Sequence, residues 1–297
     1  MKKLIILILA MMICSTAFAA EGNLKVTAPN GAPALAVAVM AAQDPENYTF
    51  ITPDTIGAAF AANEADFIIA PVNAGAKLFK AGKSSYKLGA VVTWGNLFFA
   101  SQRDGFKPED MNVNEVTLFG ADTINASVAL FALKENGIEP KLADPLAGAA
   151  ETKAVLESDP LAIVLTAEPM LTAAKANLEG ITAYSVNDLL QKANGMEGYA
   201  QAGLFIREET LKNNPEAVNA FMEELKTSAE LCSTDPDQVA EALGKLEMKF
   251  PKPAIGKCAI RFVAAGEARD MVEKTAAIDP AQFGGEIPAD DFYYAAE

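Results

Sequence analysis

At 297 residues, with 39 acidic against 24 basic side chains, the chain is long enough for two domains with cores of their own, and its net charge of −15 argues against nucleic acid or anionic lipid surfaces as partners. It contains no histidine, which excludes Ser-His-Asp and Cys-His nucleophile systems and histidine metal sites and removes the side chain best matched to proton transfer near neutral pH. None of the arginines Arg103, Arg207, Arg261 and Arg269 belongs to a basic cluster.

The first segment, MKKLIILILAMMICSTAFAA (1–20), runs from positive to apolar to small residues and reads as a secretory signal peptide, 1–19, cleaved after Ala19. Its apolar run, Leu4 to Ile13, is too short to span a bilayer, and nothing later in the chain reads as a span. The expected location is therefore periplasmic or otherwise extracytoplasmic. Cys14 leaves a second route open, a lipid anchor, although Ile13 stands where the lipoprotein pattern places a small residue. In an oxidising compartment Cys232 and Cys258 are expected to form a disulfide, closing a loop of about 25 residues for roughly 3–4 kcal/mol. Two buried free thiols are the alternative, and neither cysteine has metal or redox spacing.

After the leader, LKVTAP (24–29) reads as a strand followed by a helix from Pro33 to Gln43, and YTFIT (48–52) as a strand followed by a helix that Asp54 caps. DFIIAPVNAGAKLFKAG (66–82) runs an apolar strand through Pro71 into a helix, with the proline expected in the first helical turn, where its missing N–H is harmless. YKLGAVVTWG (86–95) and NLFFASQ (96–102) are two apolar runs in quick succession. A second round of alternation follows: strand 115–120, a helix capped by Asp122 or Thr123 and ending at Asn136-Gly137, a short strand near 141–143, a helix over 148–158, strand 161–165, and a helix from Pro169. GLFIR (203–207) is one more strand. From 208 onward the pattern predicts helices alone, one from Asn214-Pro215 with Val218, Phe221, Met222, Leu225 and Ala229 on a stripe, and one from Asp235-Pro236 with Val239, Leu243 and Leu246 aligned. Such alternation implies an α/β protein of two lobes, each a mostly parallel sheet flanked by helices, with the C-terminal helices packed on the first lobe. No linker intervenes, so the lobes are expected to be joined by strands near 97–102 and 203–207, a hinge that divides the mature chain into lobe I (20–102 and 207–297) and lobe II (103–206).

No pair of carboxylates has a spacing that demands acid–base work, and neither NGAP (30–33) nor GADT (120–123) is a dinucleotide or phosphate loop. Nothing points to an enzyme or a cofactor. The informative features are the strand-to-helix junctions, where unpaired N–H groups face the carboxyl ends of strands, the place where open α/β sheets bind ligands. Four stand out: Asn30-Gly31-Ala32-Pro33, Pro71-Val72-Asn73, Ala121-Asp122-Thr123 after Gly120, and Thr166-Ala167-Glu168 before Pro169. Each alone reads equally well as a helix cap; two per lobe favour a shared cleft. Trp94, beside Gly95 and Asn96 at a turn, is read either as a cleft ring that stacks on a flat ligand or as core.

GAPALAVAVMA (31–41), ADFIIAPVNAGAKLFKAG (65–82), YKLGAVVTWGNLFFAS (86–101), YAQAGLFIREETLKNNPEAVNAFMEEL (199–225) and FGGEIPADDFYY (283–294) resemble, in this order, the substrate-binding proteins of bacterial ABC importers. The class is that of nitrate, taurine and alkanesulfonate binders and their thiamine-pyrimidine-precursor relatives. The resemblance spans essentially the whole mature chain. It implies a type II periplasmic-binding-protein fold, a monomer whose two lobes close on a small molecule and hand it to a membrane permease. Carried over by position, the ligand would touch Asn30 to Pro33, Pro71 to Asn73, Trp94 to Asn96, Ala121 to Thr123 and Thr166 to Glu168. A pyrimidine-forming enzyme shares that fold, but it relies on histidine chemistry that this chain lacks. Without arginine at the junctions, and with Glu168 to repel a simple anion, the expected ligand is a pyrimidine-like heterocycle, with Trp94 stacking and Asn73, Asn96, Asp122 and Thr166 reading its edges. Taurine, a sulfonate or another small anion is the alternative, since helix starts hold anions without arginine. A ligand-sensing partner of a membrane receptor would use the same cleft.

Overall fold

A computed structural model describes residues 24–295, so the signal segment and Cys14 lie outside the described residues. Short runs rich in β-branched and aromatic residues make most of the strands, and alanine-rich segments make many of the helices between them. In chain order the first set is β1 (Val26–Pro29), a buried 3₁₀ turn over Ala32–Val37 continued by α1 (Ala38–Gln43), β2 (Tyr48–Ile51), α2 (Ile56–Ala62), β3 (Phe67–Pro71), α3 (Val72–Lys80) and β4 (Tyr86–Thr93). The second is β5 (Leu97–Ser101), β6 (Glu115–Thr117), α4 (Ile124–Glu135), β7 (Lys141–Leu142), α5 (Ala149–Ser158), β8 (Ile163–Ala167), α6 (Met170–Asn177), β9 (Thr182–Ser185) and α7 (Val186–Asn194). The chain then returns through β10 (Ala202–Arg207), α8 (Glu208–Asn213), α9 (Pro215–Thr234), α10 (Pro236–Lys245), α11 (Lys252–Ile255), β11 (Ile260–Ala264) and α12 (Ala265–Ile278).

Two sheets result, ordered β11-β4-β10-β3-β1-β2 and β7-β6-β8-β5-β9. In the first, β1 to β4 run one way and β10 and β11 the other; in the second, β5 alone opposes its neighbours. The sheets are thus parallel in their βαβ parts and antiparallel where the chain crosses between them. β10 enters the first sheet from the second lobe, and β5 enters the second from the first. The hinge boundary expected at 102/103 and 206/207 is corrected accordingly: β5 belongs to the second sheet and β10 to the first, and the crossings are Trp94-Gly95-Asn96 and Tyr199-Ala200-Gln201.

The C-terminal helices pack on the first sheet as expected, through the stripe Val218, Phe221, Met222, Leu225 and Ala229, all buried, with the Phe221 ring stacked on Phe67 at 3.8 Å between centroids. Residues beyond 208 are not helices alone, however. β11 pairs antiparallel with β4 at the sheet's edge, and α12 packs behind it. At the end of the first sheet remote from Pro71, Asp66 ties three strands. It accepts from the backbone N–H of Lys25 at 2.9 Å and pairs with Arg207 at 2.6 Å, while Thr210 donates to it at 2.6 Å.

The expected disulfide is not formed. Cys232 and Cys258 are both buried free thiols, the Sγ of Cys232 donating to the carbonyl of Leu35 at 3.6 Å and that of Cys258 to the carbonyl of Ala254 at 3.2 Å. Burial pushes the Cys232 thiol up to about 12 and the Cys258 thiol well above its ordinary value, with the charges of Glu168 and Cys232 adding to the latter. Each sulfur behaves as a small buried hydrophobe with one hydrogen bond.

Candidate functional site

The carboxyl ends of β1, β3 and β8 open onto one cleft between the two sheets, with a volume of about 570 Å³, in the range of small-molecule sites. Asn30, Gly31, Ala32 and Pro33 border it from β1 and Pro71, Asn73 and Ala74 from β3; across from them stand Thr123, Ile124 and Asn125 at the start of α4, Ala149 and Ala150 at the start of α5, and Glu168, Pro169 and Met170 after β8. Asn96 and Gln201, one from each crossing, also line it, as does Gln282 from the C-terminal segment.

Gly31, two residues beyond β1 and with φ of 106°, adopts a backbone conformation that glycine tolerates, and it provides no side-chain cap to the turn after it. Pro71 is the last residue of β3 and the residue before α3 rather than a member of the helix, and the N–H of Val72 is used by the carbonyl of Gln201 at 3.1 Å. Neither Pro71 nor Gly148, which precedes α5, caps its helix with a side chain. Apart from the Val72 N–H, backbone donors of these starts are therefore left for water or a ligand. The α4 start is different: Thr123, not Asp122, is the cap, its Oγ1 accepting from the N–H of Ala126. At α6 the amide end is held by Glu168, whose Oε2 accepts from the N–H of Thr172 at 3.1 Å and Oε1 from the Thr172 hydroxyl at 3.0 Å.

Several expected site residues do not line the cleft. Val72 and Thr166 are buried behind it, Ala167 is part of β8, and Ala121 and Asp122 are exposed, with the Asp122 carbonyl accepting from Gln282 at 2.9 Å. Trp94 and Gly95 lie in the crossing. The indole N–H of Trp94 donates to the carbonyl of Arg261 at 2.8 Å, the Arg261 guanidinium sits 4.8 Å from the ring centroid, and the residue is 5% exposed. The ring is core, held where a stacking role needed it free.

Sequence reading missed Asn125, Gln201 and Gln282, and with them a chain of amides at the cleft floor. Gln201 donates to the Oδ1 of Asn96 at 3.2 Å and to that of Asn125 at 3.3 Å, and Asn125 also accepts from the Tyr199 hydroxyl at 2.7 Å. Burial pushes the Tyr199 phenol well up, which keeps it a neutral donor. The available signal was a polar residue directly before a buried strand, Gln201 before β10, and an amide in the first turn of α4. Glu168 is the only charged residue of the lining, and it is 4% exposed. No cluster of His, Cys, Asp and Glu able to hold a metal occurs among the described residues.

No protein-family model matches the chain, and no curated protein matches it in sequence. Solved structures do match. An ABC transporter protein of Parabacteroides distasonis superposes with a TM-score of 0.79 at 20% identity, over 92% of this chain and 99% of the other. The periplasmic aliphatic sulphonate-binding protein SsuA of Escherichia coli gives 0.67 at 13%, over 92% of each chain. The alkanesulfonate-binding protein SsuA of Xanthomonas axonopodis pv. citri, bound to MOPS, gives 0.66 at 13%, over 93% and 99%. The fold is theirs. It is the two-lobe fold of periplasmic binding proteins, two α/β sheets flanked by helices. Among the described residues no helix is long and apolar enough to cross a membrane.

Proposed function

We propose that the protein is an extracytoplasmic solute-binding protein that captures a small organic molecule between its lobes and delivers it to the permease of an ABC importer. The observation that carries this reading is the cleft of about 570 Å³ between the two sheets, floored by both chain crossings and bordered by uncapped helix starts from each side. Such a site can bind and orient a small molecule, and the sequence supplies no histidine for turnover. Ligand binding would favour a closed arrangement by whatever its affinity for that arrangement exceeds its affinity for the open one, with bending confined to 94–96 and 199–201. The ligand we favour is a neutral or weakly charged heterocycle of pyrimidine type, its edges read by Asn73, Asn96, Asn125 and Gln201. Trp94 no longer belongs to that reading.

Binding of a sulfonate or taurine is the second reading. It is favoured by the uncapped starts of α3 and α5, which suit an anion, and by the likeness to two SsuA proteins. The deciding experiment is mass spectrometry of low-mass compounds released when the purified protein is denatured, followed by calorimetry with the compound found. A pyrimidine or related nitrogen heterocycle supports the first reading and a sulfonate the second. A protein that releases nothing and binds nothing from a metabolite extract would end the receptor proposal itself.

A further inference from the structure

The geometry points to Glu168 as a specificity residue that selects ligands carrying two adjacent N–H donors, of the amidine, guanidine or protonated amino-heterocycle class; the inference rests on the receptor reading above. A buried carboxylate is destabilising unless its charge is compensated, and the compensation visible at Glu168 is incomplete. Thr172 gives one hydrogen bond to each oxygen, and the short helix α6 adds its N-terminal dipole. Two carboxylate oxygens offer about four acceptor sites, so roughly half remain open. No lysine or arginine lines the cleft, and Glu168 takes part in no ion pair among the described residues. Asn96, in the first crossing, donates to the backbone carbonyl of Glu168 at 2.9 Å and leaves the carboxylate alone.

The same excess of acceptors recurs across the cleft. Asn73 Oδ1, on α3, and Gln201 Oε1, at the second crossing, are buried and have no hydrogen-bond partner. The Oδ1 atoms of Asn96 and Asn125, by contrast, are already occupied from within the chain. Unsatisfied buried acceptors call for donors, and a buried negative charge calls for a positive one. An amidinium-type group meets both demands, because its parallel N–H pair matches a carboxylate in two-point fashion. A sulfonate, all acceptors and negative, would add to the imbalance, whatever the helix starts contribute.

Benzamidine, benzamide and benzenesulfonate share one ring and differ in donors and charge, so their affinities for the purified protein, measured by calorimetry or ligand-observed NMR, read the selectivity directly. Benzamidine is expected to bind at least about tenfold more tightly than benzamide, with benzenesulfonate weakest, as charge-assisted bonds are the stronger ones. Glu168→Gln is expected to abolish the benzamidine advantage. Because Glu168 also holds the start of α6, Asn73→Ala on α3 provides an independent variant, expected to weaken benzamidine about three- to tenfold and to leave benzenesulfonate unchanged. Benzenesulfonate as the tightest probe, equal binding of benzamidine and benzamide, or no binding by any of the three overturns the inference. In each of those cases the receptor reading stands if the protein still releases a low-mass compound on denaturation or binds one from a metabolite extract, and falls with the inference only if it does neither.

Discussion

Trp94 gives its indole N–H to the carbonyl of Arg261 and carries the Arg261 guanidinium over its ring, so truncating it opens a cavity in a packed crossing. Trp94→Ala is expected to lower the free energy of unfolding by about 3–5 kcal/mol, read by urea denaturation. Unchanged stability with weakened ligand binding would put the ring back at the ligand. A tryptophan beside glycine and asparagine is compatible with both placements, because what decides is a carbonyl and a guanidinium that arrive from 167 residues away. The cysteines teach the same lesson. Exported context permits a disulfide but does not place two sulfurs at bonding geometry. Both thiols are buried, so the native protein should resist a thiol reagent such as DTNB, and denaturation should release both Cys232 and Cys258 for reaction. Failure of either to appear on denaturation under non-reducing conditions would restore the bridge.

The crossings are the elements on which lobe geometry depends. Gly95 has φ of 91°, and a Cβ built on it would lie 2.5 Å from the Tyr199 ring and 2.6 Å from Asn187 Oδ1. Asn187, on α7, meanwhile donates to the carbonyls of Trp94 and Gly95, both at 3.0 Å. The backbone of Tyr199 and Gln201 bonds to Trp94 and Thr93 in turn. Gly95→Ala therefore combines an unfavourable backbone conformation with overpacking and should destabilise by about 2–4 kcal/mol. A thermal melt checks this, and a melt within a degree of the parent would show that the crossing yields easily. Among the secondary elements, those with strong end signals were legible: Pro215 and Pro236 open α9 and α10, and Thr123 caps α4. β11 and α12 were not. Ile260–Ala264 is a short edge strand interrupted by Arg261, and the buried face of α12 is built from Ala265, Ala268, Thr275 and Ala276 with only Val272 strongly apolar. Small and polar residues bury well in a tight space yet leave almost no periodic signal.

For the molecule as a whole, the buried phenols and thiols set a limit on the alkaline side. The folded state holds the Cys232 and Tyr86 protons up to about 12, against 9.0 and 10.0 for the free groups, and burial raises Cys258, Tyr199 and Tyr48 as well. Each is neutral when protonated, so above the free-group values the unfolded chain binds fewer protons than the folded one and stability falls as pH rises. The contribution of these groups is complete below about pH 9 and declines from there upward. Urea midpoints between pH 7 and 11 should be level and then drop, and a midpoint unchanged to pH 11 would contradict their burial.

Read alone, the sequence determined the two-lobe α/β plan and much of the cleft rim, because strand-to-helix junctions are local: Asn30 to Pro33, Pro71 with Asn73, Thr123 and Glu168 all border the cleft. It also removed histidine chemistry outright. Tertiary structure alone decided that β10 slots between β3 and β4, that the chain crosses at 94–96 and 199–201, and that Gln201, Asn125 and Gln282 reach the cleft. The physical reason is range. A helix start is written in a few consecutive residues, whereas strand order, the environment of Trp94 and the partners of a buried amide depend on segments that meet only when the sheets assemble.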